Sequence, residues 1–164
     1  MKSDLRKFNS AIIISHWDCD GIVSAAIITK LLNANNIMRI AYTIPDIGTY
    51  KLEPRNMIPD GNITLPDGEY EVIFVLDYSV SRANMIEFQK FVKKPVIVYD
   101  HHLRKPIDRP EIDYTNPVAF GDPGIQWPAC TWVIKEDLKM EVDDLVVLGI
   151  AGDYEYRFKR DSEG

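Results

Sequence analysis

The chain has 164 residues, of which 46% are hydrophobic, so it is long enough for one globular domain with a core of its own. Its formal net charge of −6 excludes the broad basic surface with which proteins bind nucleic-acid backbone, so a polyanionic ligand would require metal ions or a local basic patch. The wide separation of Cys19 from Cys130 argues against a disulfide framework or a zinc-type pair, and no segment approaches the roughly 18 apolar residues that span a bilayer, so we expect a soluble, cytoplasmic protein without a targeting segment.

The first two elements are predicted from a change in the period of the apolar residues. The segment AIIIS at 11–15 is short and β-branched, which is typical of a strand buried on both faces. The segment 20–35 then spaces its apolar residues as a helix does. A tight turn at Asp20 and Gly21 would join the two elements.

Further short apolar segments predict the rest of a sheet. Their β-rich composition predicts strands at 38–44, 71–77 and 94–100. A helix over 82–92, capped by Ser81, separates the last two strands.

The remaining segments divide into a long loop and two helices. The stretch 45–70 is rich in Pro, Gly and Asp and has no clear period, which indicates a loop. Helices are predicted over 128–138, with Pro128 near the first turn, and over 142–158. Strands that alternate with helices favour an α/β fold with a mostly parallel sheet flanked by helices, and such sheets bind ligands beyond the carboxyl ends of their strands.

The stretch SHWDCDG at 15–21 places His16, Asp18 and Asp20 two residues apart, directly after the first predicted strand. In an extended segment successive side chains alternate between faces, so this spacing predicts that the three side chains point the same way. They are a histidine and two carboxylates, which are common metal ligands.

Acids and histidines also end the third and fourth predicted strands. Asp77 ends FVLD, and Asp100, His101 and His102 end VYDHH, so we expect these side chains at the same edge of the sheet. On the last predicted helix Asp153 lies on the core-facing stripe, with Gly149 and Gly152 allowing close approach. Oxygen and nitrogen ligands without thiolate suit Mn²⁺ or Mg²⁺ and favour a two-metal phosphoryl site.

Each of these residues alone has an ordinary structural explanation. An aspartate at a strand end is commonly a turn former or a helix cap, and a His-His pair is more often a surface feature than a pair of ligands. The metal-site hypothesis depends on convergence, because all three histidines of the chain fall beside aspartates at predicted strand ends.

In these motifs the sequence resembles the DHH phosphoesterases. SHWDCDG is similar to the HxDxDG first motif of that family, the LD at 76–77 to the second, the DHH at 100–102 to the third and the GDY at 152–154 to the fourth. The four motifs stand in the family's order and span nearly the whole chain. The resemblance implies a Rossmann-like DHH domain of the RecJ-like or oligonucleotide phosphodiesterase branch.

The resemblance also implies a ligand set for two divalent cations, Mn²⁺ ahead of Mg²⁺. One metal would be held by His16, Asp18 and Asp77, and the second by Asp20, Asp77, His101 and Asp153, with Asp77 as the bridge. His102 would face the substrate phosphate and Asp100 would orient the DHH histidines, and these two are the expected catalytic residues. A water activated between the two metals would attack phosphorus in line.

The expected domain organisation departs from the family's usual pattern. We expect residues 1–164 to form a single DHH catalytic domain, whereas active relatives carry a second, C-terminal domain that binds the substrate. The chain is then a fragment of a longer protein, or a lobe that obtains its substrate clamp from a partner or a second copy. Local basic residues and the three tryptophans are candidates for contacts with phosphates and bases, although ordinary solvated charge and core packing compete with those roles: Arg104, Lys105, Arg109, Arg157, Lys159, Arg160, Trp17, Trp127 and Trp132.

Three functions are compatible with these motifs. The first is a metal-dependent phosphohydrolase acting on nucleotides, short oligonucleotides or single-stranded nucleic acid. The second is a pyrophosphatase or exopolyphosphatase, ranked lower because the compact first motif is less similar to that branch. The third is a non-catalytic scaffold in a nucleic-acid-processing complex, although such relatives usually lack several ligands that this chain retains.

Overall fold

The computed structural model describes residues 5–56 and 58–161, with side chains described up to Asp153 in the last helix. Its strands are β1 (Ser10–Ser15), β2 (Arg39–Thr43), β3 (Val72–Leu76), β4 (Val96–Tyr99) and β5 (Ile112–Thr115). Its α-helices are α1 (Cys19–Ala34), α2 (Arg82–Val92), α3 (Cys130–Leu138) and α4 (Asp144–Asp161). Short 3-10 helices lie at Leu5–Lys7, Pro117–Phe120 and Gly124–Gln126.

The five strands form one parallel sheet in the order β2-β1-β3-β4-β5. Every residue of β1, β3 and β4 is buried, which explains their uninterrupted apolar sequence. The expected α/β fold with a parallel sheet flanked by helices is therefore confirmed.

The two faces of the sheet support two separate hydrophobic clusters. Ile13 and Phe74 pack on one face with residues of α1, α3 and α4. Ile14 and Val75 pack on the other face with Met85 of α2 and with side chains of the long loop. The period-2 alternation of the strands thus supplies both layers of the core.

The long loop at 45–70 is packed against the sheet. Leu52 and Ile63 are buried in the second cluster, and Tyr78 Oη donates a 2.5 Å hydrogen bond to the carbonyl of Thr49. Asn62 Nδ2 donates to the carbonyl of Lys51 at 2.7 Å. The loop therefore holds a defined position close to the ends of β1 and β3.

Three details of the sequence-based interpretation were wrong. Asp20 and Gly21 lie within the first turn of α1 and form no separate turn, because Asp18 caps the helix. Pro128 precedes α3, which begins at Cys130. The strand β5 was not predicted, since it has only four residues and includes Asp113.

Other boundaries agree with the prediction to within two residues, which is the usual uncertainty of helix and strand ends, except that α4 ends at Asp161 and was predicted to end at 158. Ser81 caps α2, and its side chain accepts a hydrogen bond from the backbone N–H of Asn84.

Within the described part of the chain, no helix combines the length and the apolar composition needed to cross a bilayer.

Two glycines allow α4 to lie close to the helices beside it. A Cβ atom on Gly149 would stand 2.3 Å from Thr131 Oγ1 and 2.7 Å from Asp20 Oδ1. A Cβ atom on Gly152 would stand 2.5 Å from Cys19 Cβ. The close approach expected at both positions is therefore present, and it places the middle of α4 beside the start of α1.

We expect Gly149→Ala to destabilise the protein. Alanine is intrinsically the better helix former by about 1 kcal/mol, but its methyl group would force α4 away from Thr131 and Asp20, and such overpacking costs about 1–3 kcal/mol. The free energy of unfolding, measured by denaturation in urea, should therefore fall. Gly124→Ala is the matched control, because its Cβ atom meets nothing within 4 Å. Equal stability of the two variants would contradict the close contact.

Candidate metal centre

The first candidate ligands lie where β1 passes into α1. The backbone N–H of His16 donates to the carbonyl of Leu76 at 3.1 Å, which extends the sheet by one residue. Asp18 has extended backbone and caps α1 by accepting a 2.9 Å hydrogen bond from the N–H of Gly21. Asp20 already lies in the helix and is 0% exposed. The alternation expected for an extended segment is therefore wrong: a helix start, and not a strand, positions Asp18 and Asp20.

The start of α1 lies so close to His16 that it requires a glycine at position 21. A Cβ atom at this position would lie 2.6 Å from the carbonyl oxygen of His16 and 2.7 Å from its Cβ atom. The first of these contacts is with backbone, which cannot move aside without moving His16. The glycine of the first motif thus fixes the His16 side chain against the start of the helix.

Asp77 stands at the centre of the site. It follows β3 with a left-handed backbone, φ 54°, and its N–H donates to the carbonyl of Tyr99 at 2.9 Å. The residue is 1% exposed. One carboxylate oxygen, Oδ2, lies 3.9 Å from Nδ1 of His16, and the other, Oδ1, lies 3.4 Å from Nε2 of His101. The two oxygens therefore face different groups.

The Asp100-His101-His102 segment follows β4 and is organised by Asp100. Its Oδ1 atom accepts hydrogen bonds from the N–H of His101 at 2.9 Å and from Nδ1 of His102 at 2.7 Å. His101 Nδ1 donates to the carbonyl of Trp127 at 3.2 Å. Because a carbonyl only accepts, this bond places a proton on Nδ1, so Nε2 of His101 is the nitrogen that can bind a metal once it has lost its own proton.

The remaining candidate ligands come from two helices. Asp153 of α4 approaches His101, with Oδ2 3.1 Å from Nε2. Both oxygens of Asp20 accept hydrogen bonds from the start of α3, at 2.6 Å from the N–H of Cys130 and at 3.1 Å from that of Thr131. Each oxygen of Asp20 keeps a second lone pair, and the carboxylate also replaces the side-chain cap that Ala129 cannot supply.

The structure thus gathers the expected residues into three overlapping sets. Within each set one ligand atom from every residue lies within 4.8 Å of the others; the sets are His16, Asp18 and Asp77; Asp20, His101 and Asp153; and Asp77, His101 and His102. The first set equals the ligands expected for one metal. The second and third together contain those expected for the other metal, joined through His101.

Unsatisfied polar atoms indicate that these residues fit a cation. Among the described residues, the buried side-chain atoms without a hydrogen-bond partner are His16 Nδ1 and Nε2, Asp77 Oδ1 and Oδ2, His101 Nε2, and the hydroxyl of Ser24. All except Ser24 belong to the candidate metal centre. Buried polar atoms are rarely left unpaired, because each costs about 1–3 kcal/mol and more when charged. Cations held by the ligand sets would give partners to both oxygens of Asp77, to Nε2 of His101 and to one ring nitrogen of His16, whose Nδ1 also lies 2.5 Å from Asp18 Oδ2.

The protonation equilibria of the site point the same way. Burial raises the pKa of Asp77 well above its ordinary value, and the opposing effect of His101 does not compensate. Burial also raises the pKa of Asp20, against the N–H groups of Thr131 and Cys130. Burial by itself would lower the pKa of His101, but Asp153 and Asp77 raise it to about 11. Without a metal the site therefore retains protons in place of cations.

A cavity of about 650 Å³ opens over these residues. Its walls combine candidate ligands with aromatic and aliphatic side chains: His16, Trp17, Asp18, Tyr50, His101, His102, Leu103, Val118, Gly124, Gly152 and Asp153. His102 is 40% exposed at its side chain and belongs to this wall. The cavity is large enough for a nucleotide-sized ligand.

Asn116 is a buried member of the site that the sequence did not reveal. Its Nδ2 group donates to Asp100 Oδ2 at 3.2 Å and to the carbonyl of His102 at 2.9 Å, and the residue is 1% exposed. It follows β5, the strand that was missed. The Asn-Pro sequence at 116–117 was the available signal, since Asn116 also caps the 3-10 helix that begins with Pro117.

The other candidate contact residues fall into different environments. Trp17 lines the cavity, whereas Trp127 Nε1 donates to Asp122 and Trp132 packs partly buried beneath the ammonium of Lys135. Arg104 binds Ser79 and, with Lys105, lines a neighbouring cavity. Arg109 forms a backbone bridge with Ile112. The side chains of Arg157, Lys159 and Arg160 lie outside the described residues.

This combination of a parallel sheet and a His/Asp centre at its carboxyl edge defines an α/β protein with a candidate site for two divalent cations. The family model of the DHH family, N-terminal domain, matches residues 10–150. The chain therefore belongs to the DHH family.

Comparison with solved structures gives the same fold. The crystal structure of exonuclease RecJ bound to manganese matches 90% of this chain at 18% identity with a TM-score of 0.55. The crystal structure of RecJ in complex with Mn²⁺ from Thermus thermophilus matches 88% at 19% identity with a TM-score of 0.53. The match covers 40% of the first of those chains and 22% of the second. In sequence, no curated protein matches the chain significantly.

We expect Asn116→Ala to destabilise the protein by about 1–3 kcal/mol, because it leaves Asp100 Oδ2 and the partly buried carbonyl of His102 without their donor. The free energy of unfolding from urea denaturation measures the effect. Asn9→Ala is the control, since Asn9 is exposed and bonds the exposed Glu71, and exposed substitutions stay within about 0.5 kcal/mol. A loss no larger than that of the control would show that Asn116 does not support the Asp100 turn.

Proposed function

We propose that the chain is the catalytic lobe of a divalent-metal-dependent phosphohydrolase that cleaves phosphodiester bonds of nucleotides, short oligonucleotides or single-stranded nucleic acid. The observation that carries the proposal is the set of five buried polar atoms on His16, Asp77 and His101, at the carboxyl edge of the sheet, that have no hydrogen-bond partner among the described residues. Membership of the DHH family and the similarity to manganese-bound RecJ support it.

The proposed ligands are those expected from the motifs. His16, Asp18 and Asp77 would hold one ion, and Asp20, Asp77, His101 and Asp153 the second; Mn²⁺ is proposed ahead of Mg²⁺. When bound, such a pair lowers the pKa of water and stabilises negative charge on phosphoryl oxygens. Asp77 is suited to bridge the ions, because its two oxygens face different histidines at 3.9 and 3.4 Å.

The surrounding residues have supporting roles in this proposal. The carbonyl of Trp127 fixes the proton of His101 on Nδ1. Asp100 accepts a hydrogen bond from Nδ1–H of His102, so the His102 ring is oriented toward a phosphate that enters the cavity. Trp17 and Tyr50 form a wall of the same cavity and exclude water from one side of it.

The aromatic wall favours a nucleotide over an inorganic phosphoanhydride. The rings of Trp17 and Tyr50 lie 5.9 Å apart, and Tyr50 stacks at 6.3 Å on Tyr78. Tyr50 is still 49% exposed, so part of this stack is accessible to a ligand. A base can stack on such rings, whereas pyrophosphate has no apolar face to bury.

The setting of the lobe is also part of the proposal. We propose that it acts in the cytoplasm as one catalytic domain and that another domain, a partner or a second copy supplies the rest of the substrate clamp. The share of the RecJ chains that it covers, 40% and 22%, is consistent with that arrangement.

Asp77→Asn should abolish Mn²⁺-dependent hydrolysis and leave a folded protein, and the same is expected of Asp77→Ala. Asparagine preserves the shape of the side chain and tolerates the left-handed backbone at this position. A bridging ligand serves both ions, so the rise in melting temperature that Mn²⁺ causes in the unmodified protein should also be lost. At a free Mn²⁺ concentration of 100 times Kd, binding should add about 2.7 kcal/mol to the stability of the unmodified protein. Thermal denaturation with and without Mn²⁺ measures the resulting rise in melting temperature.

Asp60→Asn is the matched control for this experiment, because Asp60 is exposed and lies outside the candidate site. It should keep both the hydrolysis and the Mn²⁺-dependent rise. Hydrolysis by the Asp77→Asn protein at the unmodified rate would refute the proposed centre.

Tyr50→Ala should reduce kcat/KM for a dinucleotide by about tenfold to a hundredfold, since base stacking contributes about 1–3 kcal/mol. Tyr50→Phe retains the ring and should retain most of the rate. Hydrolysis of bis(p-nitrophenyl) phosphate provides a second substrate without a nucleobase. If Tyr50→Ala slowed both substrates equally, the aromatic wall would not be a base contact.

A further inference from the structure

A second cavity, of about 820 Å³, adjoins the candidate metal centre. Apolar side chains of Ala83, Ile86 and Leu103 form part of its wall, and it is bordered by three cations, Arg82, Arg104 and Lys105. Leu103 lines both cavities and is 81% exposed between them. A chain-like ligand can therefore pass from the metal centre into the second cavity without leaving the surface.

Among the residues that the structure describes, the cations of this cavity have no acidic partners. Within residues 5–56 and 58–161, each of Lys30, Lys51, Arg55 and Lys135 pairs with a carboxylate. None of the three cavity cations forms an ion pair with any described residue. Lys7, Lys93 and Lys94 border another cavity, but that cavity is also lined by Glu111 and Asp113, whereas the described lining of this one includes three cations and no acid. The cavity therefore has a local positive field in a chain of net charge −6.

Arg82 occupies a position that is unfavourable for its helix, and hydrogen bonds constrain the side chain of Arg104. Arg82 begins α2, and a cation in the first turn opposes the helix dipole. Arg104 is held by two hydrogen bonds, from Nε to Ser79 Oγ at 2.7 Å and from Nη2 to the carbonyl of Ser79 at 3.1 Å. The rest of its guanidinium remains available as donor. Arg104 is thus held in place by Ser79, whereas Arg82 is an exposed side chain at the start of its helix.

We propose that this cavity binds a nucleotide beyond the two that the scissile bond joins, with its phosphate against Arg82, Arg104 and Lys105 and its sugar or base against Ala83, Ile86 and Leu103. The proposal deepens the proposed function, on which it rests, because it makes single-stranded nucleic acid of several nucleotides the preferred substrate over a dinucleotide. Inorganic polyphosphate would satisfy the cations and leave the apolar wall uncovered.

The test compares two double variants of the chain. Arg82→Ala/Lys105→Ala removes two cavity cations and leaves the Arg104 bonds to Ser79 intact. Lys90→Ala/Lys94→Ala removes the same charge from the far end of α2 and the segment before β4. The probe is a fluorescein-labelled oligothymidylate of about 12 nucleotides, within the range that a single-strand groove occupies. Fluorescence anisotropy gives its Kd at several KCl concentrations.

We expect the cavity variant to bind the probe about tenfold more weakly at low salt than the unmodified chain does. Its slope of log K against log salt should be shallower by about 1.4, which is about 0.7 for each lost contact with a single strand. The control variant should keep the slope of the unmodified chain. An equal loss in both variants, or no change of slope in the cavity variant, would overturn the proposal.

Two further measurements test this proposal separately from the proposed function and distinguish nucleic acid from inorganic polyphosphate as the ligand. With Mn²⁺, the cavity variant should lose kcat/KM for the oligonucleotide and keep it for a dinucleotide. Slope changes in a chain that shows neither turnover nor a Mn²⁺-dependent rise in melting temperature would refute the proposed function and leave the binding site standing. Unlabelled oligothymidylate should displace the probe at a lower phosphate concentration than inorganic polyphosphate does, and equal displacement would overturn the assignment to nucleic acid.

Discussion

The buried carboxylate of Asp77 is the constraint around which the site is arranged. It is 1% exposed, neither of its oxygens has a hydrogen-bond partner among the described residues, and its backbone is left-handed. An ionised carboxylate in such a place costs several kcal/mol, and a non-glycine residue in the left-handed region costs on the order of 1 kcal/mol more. A fold keeps both penalties only where other interactions determine the position, and here the N–H of Asp77 continues the ladder from β3 to β4.

Asp20 joins this centre to the helical layer. Its carboxylate takes the place of a cap for α3, and Gly149 of α4 passes over one of its oxygens. The three helices α1, α3 and α4 therefore meet at a single buried carboxylate that is also a candidate ligand. A displacement of any of them would move Asp20, and the geometry of the centre depends on the packing of the whole layer.

The sequence predicted this edge of the sheet because its signals are local. Apolar segments ending in Asp77 and in Asp100-His101-His102 place polar residues after buried strands, and parallel strands bring those ends together. What it missed depends on contacts between distant residues or on weak local signals. The bonds from Cys130 and Thr131 to Asp20 connect residues 110 and 111 positions apart. The strand β5 is too short and too polar to stand out, so Asn116 behind it was missed as well. The reason given for the spacing of His16, Asp18 and Asp20 was wrong, because Asp18 already caps α1.

The overall acidity of the chain and the proposed anionic substrate are compatible only through local electrostatics. At physiological ionic strength a charge is screened beyond about 8 Å, so the net charge of −6 acts weakly on a ligand at one edge of the sheet. What the ligand meets is the immediate surroundings: carboxylates that a pair of cations would neutralise, and beside them Arg82, Arg104 and Lys105, which form no ion pair with any residue that the structure describes. The negative charge needed to hold cations and the positive charge needed to hold phosphates are thus kept in adjacent cavities, separated by the exposed side chain of Leu103. An anionic chain lying across that side chain would meet positive charge on both sides of it once the centre is loaded.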